Sequence, residues 1–186
     1  MNSASTTTNG ADLDFRQGLN LAEYGKLTLE VRWTHINSQK RIDPDGMTLE
    51  FAGTHDNCDV TNCMGTPKDR INASLTWDVG DWRWAALLNY RGPIKNVLFE
   101  GDVCASTFAD GTDAPPGCKL KAFYTVDLSS RWRVQKNMEI FGSIQNLFDK
   151  VAPLDPLTYG AISYNPLDIS GAVGRFYNIG LRYQFN

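Results

Sequence analysis

Apolar and polar residues alternate along most of this chain, and the alternation has a period of two residues. It recurs over residues 10–21, 26–37, 70–78, 81–91, 122–133, 137–146 and 175–185. A period of two is that of β-strands, whose successive side chains point to opposite faces of a sheet. No segment keeps a helical period over three turns. The sequence therefore predicts an all-β chain with seven antiparallel strands.

The connections between these strands alternate in length. Short ones fall at residues 22–25, 79–80 and 134–136, and long ones at 38–69, 92–121 and 147–174. An up-and-down sheet with short turns at one rim and long loops at the other is the layout of outer-membrane barrels.

One face of the predicted strands carries no charge. It collects Ala11, Leu13, Phe15, Gln17, Leu19, Leu21, Leu27, Leu29, Val31, Trp33, His35, Ile71, Ala73, Leu75, Trp77, Trp82, Trp84, Ala86, Leu88, Tyr90, Tyr124, Val126, Leu128, Ser130, Trp132, Met138, Ile140, Gly142, Ile144, Tyr177, Ile179, Leu181, Tyr183 and Phe185. The other face carries Asp12, Asp14, Arg16, Glu30, Arg32, Arg83, Asp127, Arg131, Glu139 and Arg182. A Lys or Arg on a lipid face costs about 2–4 kcal/mol at mid-bilayer, so the uncharged face suits a membrane.

A soluble β-sandwich would also separate its faces, with the apolar face turned inward. The aromatic positions favour a membrane barrel instead. Three strands repeat a spacing of eight residues, namely Trp82 to Tyr90, Tyr124 to Trp132, and Tyr177 to Phe185. At the rise and tilt of barrel strands, this spacing separates two aromatic bands by roughly 20 Å, close to the height of an outer-membrane apolar band.

Several classes of protein are excluded or disfavoured. Pro153, Pro156 and Pro166 interrupt the longest stretch with few charges, so it is no transmembrane helix. The net charge of −3, with both signs interspersed, argues against a nucleic-acid partner. Residues 1–10 have no basic or apolar region of a signal peptide. No Gly-rich phosphate loop or Gly-x-Ser-x-Gly elbow occurs, so we expect neither an enzyme nor a cofactor.

The strand count predicts an incomplete barrel. Residues 1–9 are short and polar, and we interpret them as the end of a loop rather than an eighth strand. An open sheet of seven strands would leave two unpaired edges in lipid, which is not tolerated. We therefore expect the chain to be part of something longer.

The four cysteines lie in two of the long connections. Proximity favours the disulfides Cys58 to Cys63 and Cys104 to Cys118 among three possible connectivities, and oxidised pairs imply export. The alternative is a metal site made by His55, Asp56, Cys58, Asp59 and Cys63. Its spacing matches zinc sites only loosely, so we predict disulfides and no metal.

The C-terminal residues are the most specific in the chain. Residues 145–150 (QNLFDK), a long loop, and residues 174–185 (GRFYNIGLRYQF) resemble the end of a TonB-dependent outer-membrane receptor. Residues 10–15, 24–29 and 65–70 are similar to other barrel segments of this family. The resemblance implies that residues 1–186 are the C-terminal part of a 22-stranded transmembrane β-barrel, without the plug domain.

The resemblance also implies a function and partners. Such receptors import a siderophore, a carbohydrate or another scarce small-molecule solute across the cell outer membrane of Gram-negative bacteria. The expected partners are outer-membrane lipid, the rest of the barrel, the plug, and TonB through an N-terminal part that is missing here. The alternative is a small stand-alone outer-membrane barrel with a structural or adhesive role.

The last strand resembles the signal read by the barrel-assembly machinery, at Asn178, Gly180, Tyr183 and Phe185. In that signal the second aromatic residue ends the chain, whereas here Asn186 follows it. The alternative is an ordinary closing strand.

Solute contacts are expected in the last two long loops. The candidates are Phe99, Phe108, Asp110, Tyr159, Tyr164 and Asn165, because aromatic rings can stack on sugars or on an aromatic chelate. A self-packed loop is the alternative. The carboxylates of the polar face are interpreted as a hydrated wall paired with arginines rather than as acid and base catalysts. His35 is interpreted as an interfacial residue rather than a ligand.

Overall fold

The computed structural model describes residues 5–55, 65–96, 119–153 and 166–185. These residues contain eleven strands: β1 Ser5–Asn20, β2 Lys26–Ile42, β3 Thr48–Glu50, β4 Thr54–His55, β5 Asp69–Val79, β6 Trp82–Arg91, β7 Ile94–Asn96, β8 Lys119–Leu120, β9 Phe123–Gln135, β10 Met138–Gln145 and β11 Phe176–Tyr183. In the same described ranges the α-helix α1 spans Ile169–Val173, and 3-10 turns span Ala22–Tyr24 and Pro166–Asp168. Among the described residues, no helix is long and apolar enough to cross a membrane.

The long strands form one antiparallel sheet in the order β1-β2-β5-β6-β9-β10-β11, and β3 pairs with the end of β2. These are the seven strands predicted from the alternation. β4, β7 and β8 form a second, small sheet. In the described part of the chain β1 and β11 are each paired on one side only, so the barrel is not closed.

The first two strands extend further than predicted. β1 begins at Ser5, which lies opposite Ile42 of β2, so the interpretation of residues 5–9 as loop was wrong. A bulge between Asn9 and Gly10 separates this extension from the alternating part of β1. We infer that this extension is surrounded by water, because a strand in water can be polar on both faces and needs no alternation of apolar and polar residues.

The register puts the apolar positions on one face. One row across the sheet consists of Gln17, Leu29, Leu75, Ala86, Leu128, Ile144 and Tyr177, each opposite the next. In β5, an interior strand of the sheet, Leu75 and Trp77 remain 42% and 39% exposed. A sandwich would cover such residues with a second sheet, so the described residues do not form a sandwich.

The other face carries paired charges, as predicted. The ion pairs are Arg16–Glu30 at 3.1 Å, Arg32–Asp14 at 3.5 Å, Arg131–Glu139 at 3.5 Å, Arg182–Glu139 at 3.6 Å, and Arg83–Asp78. Asp12 instead accepts a hydrogen bond from the Thr34 hydroxyl at 2.7 Å. This polar face is the wall that would line a barrel interior.

Two glycines close the turns at the short-turn rim, the end of the sheet where the connections are short. Gly25 has a φ of 88°, and a Cβ there would lie 1.9 Å from the carbonyl oxygen of Asp78. Gly80 has a φ of 55°, and a Cβ there would meet no other atom within 4 Å. Glycine is needed at Gly25 for space as well as for conformation.

The opposite end, the loop-side rim, holds the buried core. Its buried apolar residues are Phe51, Ala52, Ile94, Leu120, Phe123 and Ala152. They belong to the small sheet and to the segments that lead into and out of the long loops. The loops therefore begin from a packed base.

Candidate functional site

The last long connection starts in a turn built around Asn146, which is 1% exposed and has a φ of 48°. Its side-chain oxygen accepts a hydrogen bond from the Lys150 amide at 2.9 Å. Its side-chain nitrogen donates to the carbonyls of Lys150 and Ser170, at 2.9 and 3.4 Å. The backbone amide of Asn146 donates to Asp127 Oδ1 at 2.8 Å. Asparagine suits this position because it tolerates positive φ and bonds nearby backbone.

The two ends of this connection are also joined directly. Asp149 Oδ1 accepts a hydrogen bond from the Arg175 amide at 2.8 Å. The Ala152 amide donates to the Gly171 carbonyl at 3.4 Å. A Cβ on Gly171 would lie 2.5 Å from the Phe123 ring, so α1 packs tightly on β9. We call residues 146–153 and 166–175 together the loop base.

A buried ion pair fastens the loop base to the polar face. Arg91, 7% exposed, ends β6, and Asp168, 0% exposed, precedes α1. The Arg91 Nε donates to Asp168 Oδ1 at 2.8 Å, and its Nη2 donates to Oδ2. Arg91 Nη1 also donates to the carbonyls of Gly92 and Lys121, at 3.0 and 2.9 Å. Burial raises the pKa of the Asp168 carboxyl, and the hydrogen bonds from Arg91 oppose that rise.

A cavity of about 210 Å³ lies between the loop base and the polar face. Its lining includes Arg70, Asn72, Asn89, Arg91, Thr125 and Ser170. The Asn72 side chain donates to Asn89 at 2.7 Å. Arg91 is neutralised by Asp168, whereas no carboxylate of the described residues lies within ion-pair distance of Arg70. Tyr90, Phe123, Leu167 and the ion-paired Asp168 also line the cavity. It therefore presents one available cation among hydrogen-bonding and apolar groups, which suits an anionic ligand.

The hairpin of β2 and β3, at the loop-side end of β2, is held together by Glu50. Its carboxylate accepts hydrogen bonds from the amides of Gln39 and Ala52, at 2.8 and 3.0 Å, and from the Ser38 hydroxyl at 2.8 Å. Burial opposes ionisation of Glu50, but these hydrogen bonds outweigh it and lower the pKa of the carboxyl.

His35 lies on the apolar face at the loop-side rim. Its Nδ1 is 2.7 Å from Asp69 Oδ1, which also accepts a hydrogen bond from the Trp33 indole at 3.0 Å. Because β5 begins at Asp69, one carboxylate stands at the end of the otherwise uncharged face, paired with a histidine.

The residues of the expected assembly signal lie on or next to β11. Asn178 is opposite Ser143, and Gly180 is opposite Phe141, whose ring would lie 2.3 Å from a Cβ at Gly180. The rings of Tyr183 and Phe185 meet edge to face, with centroids 4.7 Å apart. A strand paired on one side only leaves its other edge open, as an assembly signal requires, but its recognition stays a prediction.

Other predicted sites lie outside the described residues. These are the solute-contact candidates Phe99, Phe108, Asp110, Tyr159, Tyr164 and Asn165, and the cysteines Cys58, Cys63, Cys104 and Cys118. The alternative metal cluster also falls there, apart from the backbone of His55. In the part of the chain that the structure describes, no three His, Cys, Asp or Glu side chains form a possible metal cluster.

Sequence reasoning did not find Arg91 and Asp168, which are 77 residues apart. The turn at Asn146 entered the sequence analysis only through the family resemblance of the segment that contains it. The available signal was local: Asn146 and Asp149 are both residue types that favour positive φ and cap turns, and both have positive φ here.

Comparisons with known proteins agree with this fold. Residues 1–147 match the model of the family described as TonB dependent receptor-like, beta-barrel. A mutant of the ferric enterobactin receptor PfeA from Pseudomonas aeruginosa superposes with a TM-score of 0.55 at 19% identity, over 96% of this chain and 22% of that receptor. No curated protein sequence matches the chain.

Two further solved structures superpose on this chain to a similar extent. FpvA of Pseudomonas aeruginosa, bound to a heterologous pyoverdine, has a TM-score of 0.55 at 13% identity, over 97% of this chain and 20% of its own. The siderophore receptor PiuA of Acinetobacter baumannii has a TM-score of 0.55 at 13% identity, over 98% and 22%. At these identities the likeness shows the fold, and the chain spans about a fifth of the length of these receptors.

The predicted fold class, an antiparallel barrel wall, is confirmed by these findings. The family is described as receptor-like, so the prediction that the chain is not an enzyme is confirmed as well. The match over residues 1–147, more than half of the chain, establishes the family: the chain belongs to the TonB-dependent receptor-like β-barrels.

Proposed function

We propose that residues 1–186 form the C-terminal part of the barrel of a TonB-dependent receptor in the outer membrane. Its solute is an anionic metal chelate of the siderophore class. The observation that carries the choice of solute is the cavity under the loop base, with Arg70 as its available cation. The related structures include a ferric enterobactin receptor, a siderophore receptor, and FpvA bound to a pyoverdine, which supports the same choice.

Transport would need more than this wall. The remaining strands would close the open edges of β1 and β11, a plug would fill the interior, and TonB would couple the receptor to the energy source. These partners, and reading of Asn178, Gly180, Tyr183 and Phe185 by the barrel-assembly machinery, belong to the proposal. The uncharged face would contact outer-membrane lipid, and the exposure of its apolar residues in the interior strand β5 supports this.

The size of the native protein tests the assignment to a receptor. An antibody against a peptide of residues 104–118 is used on native outer membranes. The expected band is roughly 90 kDa, because 20.7 kDa corresponds to about 22% of the related receptors. A membrane band near 20 kDa would instead support the small stand-alone barrel, and a band only in the soluble fraction would refute membrane insertion.

The solute class is tested by uptake of a labelled iron chelate into cells that express the intact protein. Arg70→Gln should raise the half-saturating chelate concentration about tenfold or more, the value of one hydrogen bond to a charged group. The matched control is Arg133→Gln, an exposed arginine near the short-turn rim, which should leave uptake unchanged. Uptake of a neutral oligosaccharide that is insensitive to Arg70→Gln, with no chelate uptake, would overturn the choice of solute.

A further inference from the structure

Two arginines lie side by side on the polar face, toward the short-turn rim. Arg83 on β6 and Arg131 on β9 are register partners. Like charges that lie directly opposite each other on neighbouring strands destabilise a sheet. This position therefore requires negative charge beside the two guanidinium groups.

The carboxylates of the wall supply only part of that negative charge. Asp78 accepts two hydrogen bonds from the Arg83 guanidinium. Glu139 is shared, because its carboxylate oxygens lie 3.5 Å from Arg131 and 3.6 Å from Arg182. These three arginines therefore have two carboxylates between them, and one positive charge is left over.

The neighbouring charged residues do not remove this excess. Arg133 and Asp81 line a smaller cavity next to the two arginines and contribute one charge of each sign. The next carboxylate along β9, Asp127, is four residues from Arg131 and accepts a hydrogen bond from the Asn146 amide. The position therefore keeps a positive charge and attracts an anion.

Both guanidinium groups also keep hydrogen-bond donors for a ligand. The side chains of Arg83 and Arg131 are 49% and 38% exposed. A guanidinium has several N–H donors, and Arg83 uses two of them on Asp78. Within the described residues the Arg131 side chain donates no hydrogen bond, since its contact with Glu139 is an ion pair only.

A cavity of about 270 Å³ opens beside the two arginines, and both of them line it. The Phe141 side chain, opposite Arg131 in the register, lines it as well. The space exists because the next row of the polar face consists of small residues, each opposite the next, namely Ala85, Ser129 and Ser143. Cationic, aromatic and hydroxyl groups therefore border one space.

The Phe141 ring packs toward β11 rather than over these small residues. A Cβ at Gly180, opposite Phe141 on β11, would lie 2.3 Å from the ring. The ring therefore forms a flat wall and leaves the cavity open. A small aromatic carboxylate suits such a space, because its ring can pack on Phe141 while its oxygens accept hydrogen bonds from the arginines.

This cavity is separate from the cavity that contains Arg70. Arg91, which lines the first cavity, and Arg83, which lines this one, are eight residues apart on β6. At the rise of a β-strand this separation is roughly 26 Å. Both cavities lie on the polar face, the first toward the loop-side rim and the second toward the short-turn rim.

We propose that the cavity bordered by Arg83, Arg131 and Phe141 binds a small aromatic carboxylate. It is a second binding site, further along the wall, for an anionic solute that carries an aromatic ring. The proposal rests on the proposed function, since a solute reaches this face only where the face lines the interior of a barrel.

The experiment uses the intact protein, purified in detergent, with Arg70→Gln present throughout to weaken the first cavity. The probe is fluorobenzoate, and its binding is titrated by fluorine NMR. Adding Arg131→Gln should weaken binding about tenfold or more, the value of one hydrogen bond to a charged group. The matched control is Arg32→Gln, which should leave binding unchanged. Arg32 also lies 3.5 Å from an acid of the polar face, Asp14, but lines neither cavity.

Two further variants test the ring and the space. Phe141→Leu should weaken fluorobenzoate binding about two- to tenfold and leave binding of cyclohexanecarboxylate unchanged, because only an aromatic ligand gains from a ring contact. Ala85→Leu should weaken binding of both carboxylates, because it fills the cavity and leaves both arginines in place.

Four outcomes would overturn the proposal. These are no fluorobenzoate binding in the Arg70→Gln protein, binding that survives Arg131→Gln, binding that survives Ala85→Leu, and equal binding of the neutral fluorobenzamide. The first outcome would mean that another part of the intact protein already covers the arginines. Failure of the proposed function would be seen separately, as absence of the protein from the outer-membrane fraction.

Discussion

The buried ion pair of Arg91 and Asp168 allows a quantitative test of what holds the loop base against the polar face. Asp168→Ala would leave the Arg91 guanidinium buried with only the carbonyls of Gly92 and Lys121 as acceptors. Removing one partner of a buried ion pair costs about 3–5 kcal/mol, because the other charge stays uncompensated. The equilibrium for opening the loop base should therefore shift by roughly 10² to 10³ or more.

An exposed pair on the same face supplies the matched control. Arg32 and Asp14 are 3.5 Å apart, and their side chains are 71% and 72% exposed. Exposed pairs contribute about 0–1 kcal/mol, so Asp14→Ala should change local opening by less than about fivefold. The two substitutions remove the same chemical group and differ in burial.

Amide hydrogen exchange of the intact protein in lipid vesicles, read by mass spectrometry, measures the effect. Peptides covering residues 149–153 and 166–175 should exchange much faster in Asp168→Ala and at the wild-type rate in Asp14→Ala. The double variant Arg91→Met with Asp168→Leu should recover most of the protection, since no unpaired charge remains. Equal exchange in Asp168→Ala and Asp14→Ala would show that the ion pair does not hold the loop base, and the reasoning would fail.

Five further substitutions probe other parts of the structure. Asn146→Ala should destabilise the loop base more than Asn146→Gly does, by about 1–2 kcal/mol in the free energy of opening, because alanine is strained at positive φ and glycine is not. The rate of proteolytic cleavage in the loop base measures this difference. Gly25→Ala should abolish recovery of the protein from membranes, since its Cβ meets a carbonyl oxygen, whereas Gly80→Ala should cost only about 1 kcal/mol. The lowered pKa of Glu50 means that its stabilisation is present above the ordinary pKa and is lost as the pH falls through the folded value. Exchange of residues 39–52, corrected for intrinsic rate, should therefore rise in acid, and Glu50→Gln should remove that dependence.

The wall was predictable because each of its residues meets one of two environments. Leu29 and Leu75 lie opposite each other on the apolar face, while Glu30 and Arg16 form an ion pair on the polar face. Both arrangements follow from the two-residue period of side chains along a β-strand. The extension of β1 from Ser5 escaped prediction because a strand with polar residues on both faces leaves no alternation to read.

The site was less predictable than the wall. Arg91 meets Asp168 across 77 residues, and no periodic pattern reports a contact made between a strand end and a loop. Arg70 was assigned to a strand, but its lack of a partner depends on where every nearby carboxylate lies in space.

The order of strands in the main sheet carries a consequence for how such a chain can change over time. Each long strand pairs with its neighbour along the chain, so the wall is a succession of hairpins. Doubling the length of a flexible connection costs only about 0.6 kcal/mol of closure entropy. Slipping one strand by one residue, by contrast, would turn every side chain to the wrong face. Insertions and deletions at the loop-side rim therefore cost little free energy while the wall resists them, so the loops can change in length and sequence while the sheet stays the same.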